Sequence, residues 1–196
     1  MELKGQLSAE FLIILGVVLL VALVAVSLSI FFTQSSQDIS QTESSAYWST
    51  QAQPVRIVDM EGYYYASTPS SGEISLLLEN IDSKPITIKS FVLEPYGSET
   101  TFNVYSNHSS AGSTTGLTLY GTAGASALTG LSITLAPSER KSVYLRTAVA
   151  CSDTTTTVRT STSKYYNDFT IYYDTPYFSG LSFKGLRPIS GRCNPN

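Results

Sequence analysis

Hydrophobic side chains follow two regimes along this chain. Through residues 11–32 they are almost continuous, FLIILGVVLLVALVAVSLSIFF, with only Gly16, Ser27 and Ser29 interrupting 22 positions. After Pro54 they alternate with polar residues in short runs bounded by Gly, Pro, Ser and Asn. The first regime predicts a helix that is apolar on every face; the second predicts strands. At 1.5 Å per residue the apolar run covers about 33 Å, which matches a hydrocarbon core about 30 Å thick. No charged residue lies between Glu10 and Asp38, whereas a helix packed in a soluble domain keeps a polar side toward water. The run therefore reads as a membrane span. A cleavable secretory signal peptide stays open as the rival, because Ala25-Val26-Ser27 resembles a small-residue cleavage site. Against it, the run exceeds the usual h-region of about 7–15 residues, and MELKG sets a single Lys against Glu2.

Past the apolar run, TQSSQDISQTESSAYWSTQAQ has neither Gly nor Pro, and Ile39, Ala46 and Trp48 recur at loosely helical spacing until Pro54. The expected organisation is a five-residue leader (1–5), a long helix (6–53) of about 70 Å and a β-rich domain (54–196). Strands are expected at VRIVDM, EISLLLENI, ITIKSFVLEP, TTFNVY, GLTLYG, LSITLAP, SVYLRTAVA, TTTTVRT, DFTIYYD and YFSGLSF. EISLLLENI and ITIKSFVLEP, joined by the turn-like Asn80–Lys84, read as a hairpin. The fold class is α+β: a long N-terminal hydrophobic helix followed by a mainly antiparallel, β-sandwich-like globular domain.

Composition narrows the function classes. With 196 residues, one ordinary domain plus an appendage fits. Net charge is -3 and the 12 basic residues are scattered, so no basic stripe tracks a phosphate backbone and nucleic acid is excluded as an expected partner. Charged residues make up 14% of the chain, below the roughly 25% usual for soluble domains, and Ser, Thr and Tyr fill the polar surface. That balance suits a β-domain outside the cell. Cys151 and Cys193 have no His or Cys neighbours at metal-ligand spacing, which leaves a disulfide or two reduced thiols according to compartment, the bridge being favoured outside.

Catalytic constellations do not assemble. The single histidine, His108, lies inside Asn107-His108-Ser109, so neither a hydrolase triad nor an HExxH site is available. The Ser138/Lys141 and Ser161/Lys164 pairs fall in turn or strand segments, where positions i and i+3 face apart. Neither an enzyme nor a cofactor or metal site is expected. Asn107-His108-Ser109 is an N-glycosylation sequon in a turn-like stretch, and a chance match in a Ser-rich chain stands beside that reading. The clusters Tyr63–Tyr65, Tyr165-Tyr166 and Tyr172-Tyr173 fit a sugar-binding face, a subunit interface or ordinary cross-strand packing.

The junction before the apolar run reads KGQLSAEF, with Lys4-Gly5 followed by Gln6, Ser8 and Glu10. It resembles archaeal type IV pilins, whose precursors carry a short leader ending Lys-Gly, then Gln-x-Ser-x-Glu and a hydrophobic helix. The resemblance covers about 30 residues, the junction and the helix. It implies cleavage between Gly5 and Gln6 by a membrane-embedded prepilin peptidase. It implies a structural, adhesive filament subunit whose partners are copies of itself, that peptidase, a cytoplasmic assembly ATPase and its membrane platform. The chain would sit in the cell membrane as a precursor and then in an extracellular surface filament. No Phe occupies the first mature position and the leader is not Arg-rich, departures that point to the pilin branch. A carboxylate toward the bilayer interior costs on the order of 2.5–3.5 kcal/mol, less at the edge, so Glu10 calls for a partner. The resemblance implies the N-terminal amine of a neighbouring subunit; a Glu10 resting on the helix dipole at the interface is the other reading, and cyclisation of Gln6 would remove the amine. A membrane-anchored surface adhesin or carbohydrate-binding module, engaging surface glycans without forming the main filament, is the alternative function.

Overall fold

The structure, a computed structural model, describes residues 3–65, 72–95, 102–108, 117–123, 131–147, 151 and 164–195, with backbone alone at 3–10, 29–39, 95, 147 and 195. The chain divides into two compact units, Met1–Ser40 and Gln41–Asn196. Helix α1 spans Leu3–Thr50. It ends where the N–H groups of Gln51 and Ala52 both turn back to the Tyr47 carbonyl, at 2.8 and 3.2 Å. Pro54, which has no N–H to donate, follows immediately.

The second unit is mostly strand. In chain order the strands are β1 (Val55–Tyr64), β2 (Gly72–Asn80), β3 (Ile86–Pro95), β4 (Phe102–Tyr105), β5 (Leu119–Ala123), β6 (Ile133–Leu135), β7 (Arg140–Thr147), β8 (Lys164–Asp174), β9 (Leu181–Lys184) and β10 (Ile189–Pro195). They hydrogen-bond in the order β5-β4-β7-β2-β1-β10-β8-β3-β6, with β9 added to β8, and the sheet nearly closes on itself like a barrel. Among the described residues, every pairing is antiparallel except that of β1 with β10.

Strand β10 joins the two halves of the sheet. Its first residues, Ile189–Arg192, run antiparallel to Asn167–Lys164 of β8. Its last, Cys193–Pro195, run parallel to Gly62–Tyr64 of β1. Both halves feed one core, with Leu76, Leu78, Val143 and Leu145 from one side and Ile88, Phe91, Phe169 and Ile171 from the other. Burying each such side chain contributes about 1.5–3 kcal/mol.

Bulges set which residues face that core. Register shifts between Ile88 and Ser90 in β3, so Ile86 and Ile88 are buried and the inward series resumes at Phe91 and Leu93. A strict two-residue period would have turned Phe91 outward. A similar shift separates Ile57 from Asp59 in β1.

The hairpin expected between EISLLLENI and ITIKSFVLEP does not form. Both edges of β2 are occupied, by β1 and β7, while β3 pairs with β6 and β8. The intervening turn carries the chain from one half of the sheet to the other. Buried Asn80 holds it there: Nδ2 donates to the carbonyls of Lys84 (2.8 Å) and Leu135 (3.0 Å), and Oδ1 accepts from the Asp82 N–H (2.9 Å). Alternation specifies which face of a strand is buried and leaves its neighbour unspecified. The expected strand TTTTVRT lies outside the described residues. Strand β10 escaped the sequence reading because ISGRCNP has turn-like composition.

Candidate functional site

The apolar segment of α1 is the first candidate. From Phe11 to Leu28 the helix is long and apolar enough to cross a membrane, and none of that window is buried within the protein. Large apolar side chains point outward all round, Phe11, Leu12, Ile13 and Ile14 in succession among them. The Ser27 hydroxyl donates to the Leu23 carbonyl at 2.8 Å, so this polar group is satisfied inside the helix. Such a surface suits an apolar solvent, a lipid bilayer or other helices, as a membrane anchor or signal sequence requires. Lys4, Gly5, Gln6, Ser8 and Glu10 fall within the first turns of α1; their side chains lie outside the described residues.

The last turns of α1 belong to the β-rich unit and are built into it. Ser44, Tyr47 and Trp48, at helical i, i+3, i+4 spacing, share one face and meet the connection from β9 to β10. The Ser44 hydroxyl donates to the Pro188 carbonyl (2.7 Å) and accepts from the Ser190 N–H (3.2 Å). Tyr47 accepts from the Leu186 N–H at its hydroxyl (3.0 Å), and the Trp48 indole donates to the Arg187 carbonyl (3.1 Å). Trp48 is completely buried, edge-on to Phe169 and Phe183. These contacts satisfy backbone groups of an irregular connection. The helical spacing of Trp48 with Ile39 and Ala46 was visible in the sequence; the partners of Tyr47 and Trp48, 139 residues away, were not.

Cys151 and Cys193 form a disulfide with a Cα–Cα distance of 5.7 Å, and both are buried. The bond fastens the end of β10, next to its parallel pairing with β1.

Asn107 sits in the turn after β4. Its Oδ1 accepts from the Thr118 N–H (2.8 Å), and the Ser106 N–H donates to the Thr118 carbonyl (2.9 Å), so the turn is closed onto the approach to β5. The next residue, His108, lies over the outer face of the sheet. Its Nδ1 is 2.5 Å from Glu73 Oε1, and Tyr65 donates to Glu73 Oε2 at 2.8 Å. Glu73 is wholly buried although it points outward from β2, because these rings cover it. Tyr63 and Tyr144 flank the imidazole, with ring centroids 4.9 and 5.8 Å away, and Arg146 stacks on Tyr65 at 5.0 Å. No sequence signal distinguished Glu73 from other outward strand positions.

Only Tyr165 and Tyr166 show the alternation of a two-residue period, one buried and one exposed. Tyr64, Tyr65 and Tyr165 are buried, whereas Tyr166 is exposed. Tyr63 hydrogen-bonds Glu61, and that bond, reinforced by partial burial and the Glu61 charge, pushes its phenol up to about 12. Burial, then the charges of Asp59 and Glu61, also raise Tyr165. On β2, burial alone would raise Glu79, but hydrogen bonds from Arg56 and Arg140 hold its carboxyl below the usual range.

Comparison with known proteins returns no match, either to a protein-family model or to a curated sequence. The features on which function can be argued are therefore those of the chain itself: an N-terminal apolar helix able to serve as membrane anchor or signal sequence, and a mostly β domain that takes in the helix's end.

Proposed function

We propose that this chain is the structural subunit of an archaeal type IV pilus-like surface filament. The observation that carries the reading is the fully exposed apolar segment Phe11–Leu28 directly after the junction Lys4-Gly5-Gln6-Leu7-Ser8-Ala9-Glu10. Cleavage after Gly5 would remove the leader's charges on Glu2 and Lys4, leaving an apolar helix that can leave the bilayer without drawing them through hydrocarbon. Once out of lipid, such a helix must bury its surface against other helices, and Gly16, Ala22, Ala25 and Ser29 would permit close approach. The β-domains, whose two half-sheets act as the layers of a sandwich, form the outer sheath. The work of the protein is mechanical and adhesive rather than catalytic, and its partners are further copies of the chain and the machinery that processes and assembles them.

The test is the N-terminus and intact mass of the protein recovered from sheared surface filaments and, separately, from membranes. A chain starting at Gln6 in the filament fraction supports the proposal. A start near Leu28 would mean that a signal peptidase had removed the helix, leaving a secreted β-domain and sinking the filament reading. A chain found only in membranes would favour the anchored adhesin.

A further inference from the structure

We infer that the rings of Tyr63, His108 and Tyr144 are the seat of an N-linked glycan carried by the neighbouring Asn107. The inference rests on the outside location of the β-domain contained in the reading above. The register places Tyr63 opposite Glu73 and Glu73 opposite Arg146 on one row, with Glu61, Ser75 and Tyr144 on the next. Glu61, Tyr63, Glu73, Ser75, Tyr144 and Arg146 therefore share the outer face of β1, β2 and β7. His108 lies across that face between the two tyrosines, anchored on Glu73.

The three rings form a half-exposed row whose order is set from beneath. The buried Glu73 carboxylate fixes the imidazole, and the Tyr63–Glu61 hydrogen bond fixes the first phenol. A pyranose presents a face of C–H groups with partial positive charge, complementary to the negative face of an aromatic ring, while its hydroxyls need polar neighbours at the rim. Glu61 and Arg146 stand at that rim. What identifies the occupant is adjacency: the sequon asparagine immediately precedes the central ring, and its own side-chain carbonyl is fixed by Thr118. A sugar on Asn107 would start one residue from the row. Attachment would take an oligosaccharide from a lipid-phosphate-linked donor. The Asn107 Nδ2–C1 bond forms, the C1–O bond to phosphate breaks, the amide proton goes to a base and the lipid phosphate leaves.

The experiment uses the full chain from its own cells, in detergent. Mass spectrometry of the peptide bearing Asn107 reports occupancy, and thermal unfolding is then compared for the parent, Ser109→Ala, Tyr144→Ala and the double variant. Loss of the sugar by Ser109→Ala is expected to lower Tm by about 2–4 °C, and this loss should vanish in the Tyr144→Ala background. Tyr63→Ala provides the same cycle independently. In protein made without the sugar donor, Ser109→Ala should shift nothing. An Asn107 without glycan overturns the inference, as does an occupied Asn107 whose loss lowers Tm equally in both backgrounds. A chain that passes the cycle but does not start at Gln6 would sink the filament reading and leave the glycan seat standing.

Discussion

Trp48 lies so close over Gly185 that a β-carbon built on the glycine would fall 2.2 Å from the indole Cζ2. The glycine is there because an aromatic ring occupies the space a side chain would need, and this contact fixes the end of α1 within the β-rich unit. Gly185→Ala should therefore force Trp48 aside and destabilise the domain by about 1–3 kcal/mol. The chain has one tryptophan, so its emission should shift to longer wavelength as the ring gains water. An unchanged emission maximum and Tm would show that the ring is not held there.

The disulfide closes a loop of 42 residues between Cys151 and Cys193. On the chain-entropy account, that loop contributes about 4 kcal/mol by restricting the unfolded chain. The double variant Cys151→Ser, Cys193→Ser should lose most of that in denaturant unfolding, and reductant should lower the parent's midpoint while leaving the variant's unchanged. Equal sensitivity of both proteins to reductant would refute the assignment.

Tyr165 spans two glycines: Cβ atoms at Gly62 and Gly191 would lie 2.7 Å from its Cδ1 and 2.5 Å from its hydroxyl oxygen. That hydroxyl is buried and has no hydrogen-bond partner among the described residues. An unsatisfied buried polar group costs about 1–3 kcal/mol, so Tyr165→Phe should raise stability by about 1 kcal/mol or more. Gly62→Ala and Gly191→Ala should each destabilise, and their effects should be coupled because both displace the same ring. A destabilised Tyr165→Phe protein would show that the hydroxyl has a partner.

Two phenols should ionise late in an alkaline titration followed by tyrosinate absorbance. Tyr63 is raised to about 12 from an ordinary 10.0, and Tyr165 is raised by burial. A folded pKa above the unfolded one means the contribution is complete below about pH 10 and lost as pH rises through the folded value. Tyr63→Phe should therefore flatten the fall in stability between about pH 10 and 12. Glu61→Gln should lower the Tyr63 midpoint, because the hydrogen bond to the Glu61 carboxylate is the largest cause of the shift.

Glu79 works in the opposite sense. Its carboxyl is held low by Arg56 and Arg140, so its contribution is present above the unfolded carboxylate pKa and is lost as pH falls through the lower folded value. Glu79→Gln should weaken the protein near neutrality and reduce the dependence of its stability on acid. A parent-like acid profile in the variant would show that the two arginines do not act through this carboxylate.

How far the sequence could be read depended on whether the relevant physics was local. The apolar helix was legible because twenty-odd consecutive apolar residues have no globular alternative, and its continuation was legible because no Gly or Pro interrupts it before Pro54. Most strand positions followed from alternation. What alternation could not supply was pairing: Asn80–Lys84 looked like a hairpin turn, yet Asn80 bonds Leu135, 55 residues away, and sends β3 to the other half of the sheet. Nor could composition reveal β10, a strand of Gly, Arg, Asn and Pro held by two neighbours and a disulfide rather than by propensity.

The chain by itself thus determined the elements: an apolar helix, a hydroxyl-rich set of strands, a sequon and a lone pair of cysteines. Only the tertiary structure decided which groups meet. It placed Trp48 against Gly185, drew Cys151 to Cys193, and buried Glu73 beneath His108. Propensity and periodicity act over a few residues, whereas these contacts join positions 35 to 137 residues apart. Their selection depends on strand order, register and close packing, which arise only when the whole sheet assembles.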